Sequence, residues 1–98
     1  MHYTARELYS VLNVSRGKPS RLYIQQEGKY LTAAEKGTDV RIDAQGHSYL
    51  DIREARMYYL VQNSAFGMHN IALIPTAPGL TVNSFTFGND CQVKFPHL

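Results

Sequence analysis

The residues able to do chemistry in this chain are few and widely spaced. Cys91 is its one cysteine. A nucleophilic thiol needs an imidazole beside it and a third group to orient that imidazole, so the partner would be His97, His69, His47 or His2. No nucleophile signature surrounds Cys91, which follows the last strand-like segment, and it reads as a structural or incidental thiol. A single cysteine also forms no intrachain disulfide. The four histidines lack the paired, short-interval spacing of a zinc site, so no metal or other cofactor is expected. Asp39, Asp43, Asp51 and Glu54 flank Gly46 and offer the carboxylates that calcium or a glycosidase mechanism requires. The simpler reading is that Asp39 and Asp43 bracket a short exposed strand and support its turns. There is no Gly-rich phosphate loop, no G-x-S-x-G and no H-E-x-x-H. The chain is read as a non-enzyme.

The informative surplus is tyrosine: seven Tyr and no Trp. Their flat rings with a polar tip stack on sugars or anchor protein interfaces, although strands favour tyrosine for packing reasons alone. The binding residues singled out are Tyr23 and Tyr58 beside Arg21, Arg56 and Asn83, should one sheet face gather them.

Period-two alternation dominates the elements that would position these groups. From Arg6 to Val14, Leu8, Ser10, Leu12 and Val14 share one face, with Tyr9, Val11 and Asn13 opposite. Ser20 to Gln26 sets Leu22 and Ile24 against Arg21 and Tyr23, and Glu27-Gly28 turns the chain into Lys29–Leu31 as a hairpin. Gly37 follows Thr32–Lys36 too soon for a stable helix, so that stretch is read as a loop. A short strand at Val40–Asp43 turns at Ala44–Gly46 and returns at Ser48–Ile52 with Leu50 and Ile52 inward. Arg56–Asn63 reads as a central strand, Ser64–Met68 as a loop, His69–Ile74 as a strand, and Leu80–Phe87 as the last strand, with Phe85 and Phe87 on one face.

About seven or eight strands separated by turn signals predict an all-β, two-sheet antiparallel β-sandwich, since apolar strand faces must be buried against one another. Residues 1–98 suffice for a single domain with one core. Hydrophobic residues at 44% and charged residues at 18% are the balance of a chain that folds without a partner. The formal charge is +2, and Lys and Arg are scattered from Arg6 to Lys94, which argues against nucleic acid. No apolar run has signal-peptide length or the roughly 18 residues of a membrane-spanning helix.

Three segments carry a resemblance: Lys36-Gly-Thr-Asp-Val40, Glu54-Ala-Arg-Met-Tyr58-Tyr-Leu-Val61, and Pro78-Gly-Leu-Thr-Val-Asn-Ser-Phe-Thr-Phe-Gly88. From about Ala5 to Gly88 the chain resembles the C-terminal domain of bacterial thioredoxin-like proteins of the DipZ type. Ser84–Gly88 is the most specific part, and Ala55 stands where relatives tend to carry Pro. The resemblance implies a jelly-roll, carbohydrate-binding-module-like accessory domain, excised from the C-terminal end of a longer extracytoplasmic (periplasmic or secreted) protein. Without a C-x-x-C motif it inherits no redox activity. The partners implied are carbohydrate or the parent thioredoxin domain. The alternatives are a homo-oligomeric (homodimer) interaction module, or an engineered scaffold with a hydrolase site built from Cys91 and a histidine.

Overall fold

The computed structural model describes residues 1–15 and 19–88. Seven strands appear in the order β1 (His2–Val14), β2 (Ser20–Gln26), β3 (Lys29–Tyr30), β4 (Arg41–Ile42), β5 (Ser48–Ile52), β6 (Arg56–Pro75) and β7 (Leu80–Gly88). All pairings are antiparallel, and the strand path is β4-β5-β2-β6-β1-β7 with β3 added beside β2. The fold is all-β and β-sandwich-like. Its two sheets share β6, whose first part pairs with β1 from Leu12↔Arg56 to His2↔Asn70, while Ile71–Pro75 pairs with β2.

Alternation sets which faces are buried. Leu8, Leu12, Leu22, Ile24, Leu50, Ile52, Leu60 and Ile71 form one core drawn from both sheets. Each such side chain contributes roughly 1.5–3 kcal/mol when removed from water. The intervening Tyr9, Val11, Arg21, Tyr23 and Tyr49 are half-buried on the outer faces. The β2–β3 turn requires two successive left-handed residues, met by Glu27 (φ 55°) and Gly28 (φ 76°), the geometry of a tight hairpin whose twist matches its strands.

One sequence expectation is corrected. Ser64–Met68 is not a loop between two strands but the middle of β6. Across from it, Ala5 pairs with Gly67 while Glu7 pairs with Gln62, so Asn63–Phe66 bulges opposite Arg6. The polar and Gly residues that suggest a loop therefore mark a bulge, which bends a strand without ending it. Arg6 Nε donates to the Asn63 carbonyl at 3.3 Å across this irregularity.

Beneath the bulge lies a closed polar ring. The Tyr3 hydroxyl donates to Gln26 Oε1, Gln26 Nε2 donates to Asn63 Oδ1 at 2.8 Å, and Asn63 Nδ2 returns to the Tyr3 oxygen at 3.0 Å. All three side chains are buried.

Tyr3, Tyr9 and Tyr59 resist ionisation, chiefly through burial; the Glu7 carboxylate adds to the effect at Tyr9 and Tyr59, whose rings stack at 4.4 Å. The folded chain then holds these phenolic protons more tightly than the unfolded chain. Stability is therefore intact below the ordinary tyrosine value near 10 and falls as pH rises above it. The urea midpoint should drop between pH 8 and about pH 10.5, and Tyr59→Phe should shallow that drop; an equal drop in the variant would refute the assignment to Tyr59.

Candidate functional site

The outer face of the β2–β5 pair collects aromatic rings. Register places Tyr23 opposite Tyr49 and Arg21 opposite Asp51, so two Tyr and an ion pair share one surface. The Tyr23 and Tyr49 centroids are 6.2 Å apart, and Tyr23 meets Tyr30 at 6.3 Å and His47 at 6.1 Å, edge to face. Tyr30 and His47 stack at 4.2 Å. The Arg21 guanidinium carbon lies 3.9 Å above the Tyr49 ring, and Arg21 grips Asp51 with Nε–Oδ1 at 3.0 Å and Nη2–Oδ2 at 3.4 Å. Cation–π contact and ion pair together fix a half-exposed ring in one orientation.

Turns position the two rings that lie off β2 and β5's paired residues. Tyr30 follows the Glu27-Gly28 hairpin. His47 is placed by Asp43, whose Oδ1 accepts the backbone N–H groups of Gln45 and His47, each at 2.9 Å, while Gly46 turns at φ 83°. Those bonds, that of His47 first, hold the Asp43 carboxyl below its usual range.

Beside this face, Thr38, Asp39, Arg41, Asp51, Arg53, Arg56 and Tyr58 line a cavity of about 380 Å³. Arg56 is held on several sides: Nη2–Asp39 Oδ1 at 3.0 Å, Nε–Glu54 Oε2 at 3.8 Å, Nη1 donating to the Met57 carbonyl at 3.0 Å, and its guanidinium carbon 3.9 Å above Tyr58. Burial alone would raise the Asp39 pKa, but the Arg56 guanidinium and the Tyr59 N–H at 2.8 Å outweigh it and leave it lowered. Asp39 arrives there because the 32–40 segment is strapped to β6. Gly37 N–H donates to the Leu60 carbonyl at 2.9 Å, Gln62 N–H donates to the Glu35 carbonyl at 2.7 Å, and Lys36 bridges Val61. Among the described residues, Arg41 and Arg53 make no ion pair within 4.0 Å.

The residues named from sequence are thus divided. Arg21 and Tyr23 stand together on the aromatic face. Arg56 and Tyr58 belong to the neighbouring cavity, and Tyr58 is turned inward, 2% exposed, its hydroxyl donating to the Glu54 carbonyl at 2.8 Å. Asn83 is exposed on β7, separated from β5 by β2, β6 and β1. The sequence reading did not single out Tyr30, His47, Tyr49, Arg41 or Arg53 as binding residues, His47 being weighed instead as a partner for Cys91. A signal for Tyr49 was present: Arg21-x-Tyr23 and Tyr49-x-Asp51 are complementary period-two pairs that face each other in an antiparallel register. Each carboxylate of the Asp39, Asp43, Asp51 and Glu54 group is engaged by an Arg or by turn N–H groups. Cys91 and His97 lie outside the described residues.

The family model described as the thioredoxin-like C-terminal domain matches residues 1–88. The chain belongs to this family. The likeness read from Lys36–Val40, Glu54–Val61 and Pro78–Gly88 is met at that level, and membership in such a family is compatible with an accessory role. No curated protein and no solved structure matches the chain.

Proposed function

We propose that this is a non-catalytic carbohydrate-binding accessory domain of an extracytoplasmic, DipZ-type thioredoxin-like protein, taking sugar on the outer β2–β5 face. The observation that supports this is the cluster of Tyr23, Tyr30, His47 and Tyr49, with Arg21 clamped over Tyr49. A sugar ring presents apolar C–H patches and a rim of hydroxyls. Fixed aromatic faces match the patches, and Arg21, Asp51 and the tyrosine hydroxyls match the rim.

Calorimetric titration with neutral oligosaccharides should give binding at millimolar concentration or tighter. Tyr49→Ala and Tyr23→Ala should each weaken it about tenfold, with the native circular-dichroism spectrum kept; Tyr9→Ala, on the other sheet, should not weaken it. No binding of any saccharide at millimolar concentration would sink this reading.

A second reading, docking against the parent redox domain or a second copy, is favoured by Val82 and Phe87, 41% and 46% exposed on one face of β7 at the sheet edge. Sedimentation with and without the redox domain separates the two, because a monomer indifferent to that domain excludes docking.

A further inference from the structure

We infer that the cavity between β4, the β5–β6 connection and the Thr38–Asp39 segment is an anion subsite. It takes the carboxylate or phosphate of an acidic saccharide whose neighbouring ring lies on the aromatic face. This rests on the saccharide reading above and adds to it the class of sugar.

The charge arrangement carries the inference. Three arginines, Arg41, Arg53 and Arg56, line the cavity with two carboxylates, Asp39 and Asp51. Both carboxylates are engaged: Asp51 is gripped by Arg21 through two guanidinium nitrogens, and Asp39 accepts from Arg56 and from the Tyr59 N–H. Arg41 and Arg53 are left facing one space with no acidic partner within 4.0 Å among the described residues. Guanidinium groups stay protonated at any physiological pH, so this excess positive charge is permanent, and it sits where planar, two-pronged donors suit carboxylate and phosphate oxygens. Arg56, pinned by Asp39 and by Tyr58, forms a rigid wall.

Register ties the cavity to the aromatic face. Arg41 lies directly opposite Tyr49 in the β4–β5 pair, and Asp51, two residues along from Tyr49, belongs to the cavity wall while holding Arg21 over the Tyr49 ring. A sugar seated on Tyr23 and the Arg21–Tyr49 pair therefore has its neighbour's substituent directed toward the arginines. A neutral sugar would leave them without a counter-charge.

Matched titrations test this: a neutral oligosaccharide, its uronic-acid counterpart, and a sugar phosphate, each against the native domain, Arg41→Gln, Arg53→Gln and the double variant. Acidic saccharides should bind about tenfold tighter than the neutral one, with the preference lost in the double variant, reduced at high salt, and the neutral affinity unchanged. Comparing the uronate and phosphate arms identifies the acid group. Equal affinity for neutral and acidic saccharides, or a preference that survives the double variant, overturns the anion subsite while leaving the aromatic-face reading standing. Binding of no saccharide overturns both. Both arginines are exposed, and an unchanged thermal midpoint confirms that the variants fold.

Discussion

Gly37→Ala should be the most damaging small substitution in the domain, costing about 3 kcal/mol or more, because it forces overpacking against backbone. A Cβ at Gly37 would sit 2.3 Å from the Tyr59 carbonyl oxygen and 2.6 Å from its carbon, with the Tyr59 ring at 2.7 Å. Backbone inside a paired strand does not move aside as a flexible side chain does. Relief would require lifting the 32–40 segment from β6, and with it the Gly37–Leu60 hydrogen bond, the Lys36 bridge and the Asp39 clamp on Arg56. Gly28→Ala is the control. It meets no atom within 4 Å and bears only the φ of 76°, at about 1 kcal/mol. Urea denaturation of the two variants should separate them clearly, and equal losses would show that the strap yields easily.

Asn63→Ala is expected to cost about 2–3 kcal/mol, since it leaves two buried partners unsatisfied at once. The Gln26 amide loses its acceptor and the Tyr3 oxygen loses its donor, at a site where Asn63 itself is 5% exposed. Tyr3→Phe should cost a similar amount, because it too orphans two buried groups, Gln26 Oε1 and Asn63 Nδ2. Since the three groups form one ring, the double variant should lose less than the sum of the singles. Additive losses in a double-mutant cycle would show that the ring does not act as a unit.

The fold was legible wherever burial follows strict alternation. Leu8/Leu12, Leu22/Ile24 and Leu50/Ile52 point inward as their spacing predicts. β6 was not, because Ser64–Met68 carries loop-like residues while remaining paired, and pairing with a distant strand leaves no local trace. The site was half legible for the same reason. Arg21 and Tyr23 are neighbours on one strand, whereas Tyr49, Tyr30 and His47 join them only through long-range register and two turns. Tyr58 was ambiguous because Arg56–Val61 is apolar on both faces, so parity alone does not say which ring faces in.

The place of β1 between β6 and β7 also sets the order in which the chain can fold. Every residue of β1 waits for a partner no earlier than Arg56, and its second neighbour begins only at Leu80. The β2–β3 hairpin and the β4–β5 pair close short loops and can assemble as soon as they leave the ribosome. β1, the earliest of these strands in chain order, stays unpaired with Leu8, Val11 and Leu12 in water until β6 and β7 exist. Loop closure over that span is slow, and during it the domain is a sticky single strand searching for its mates.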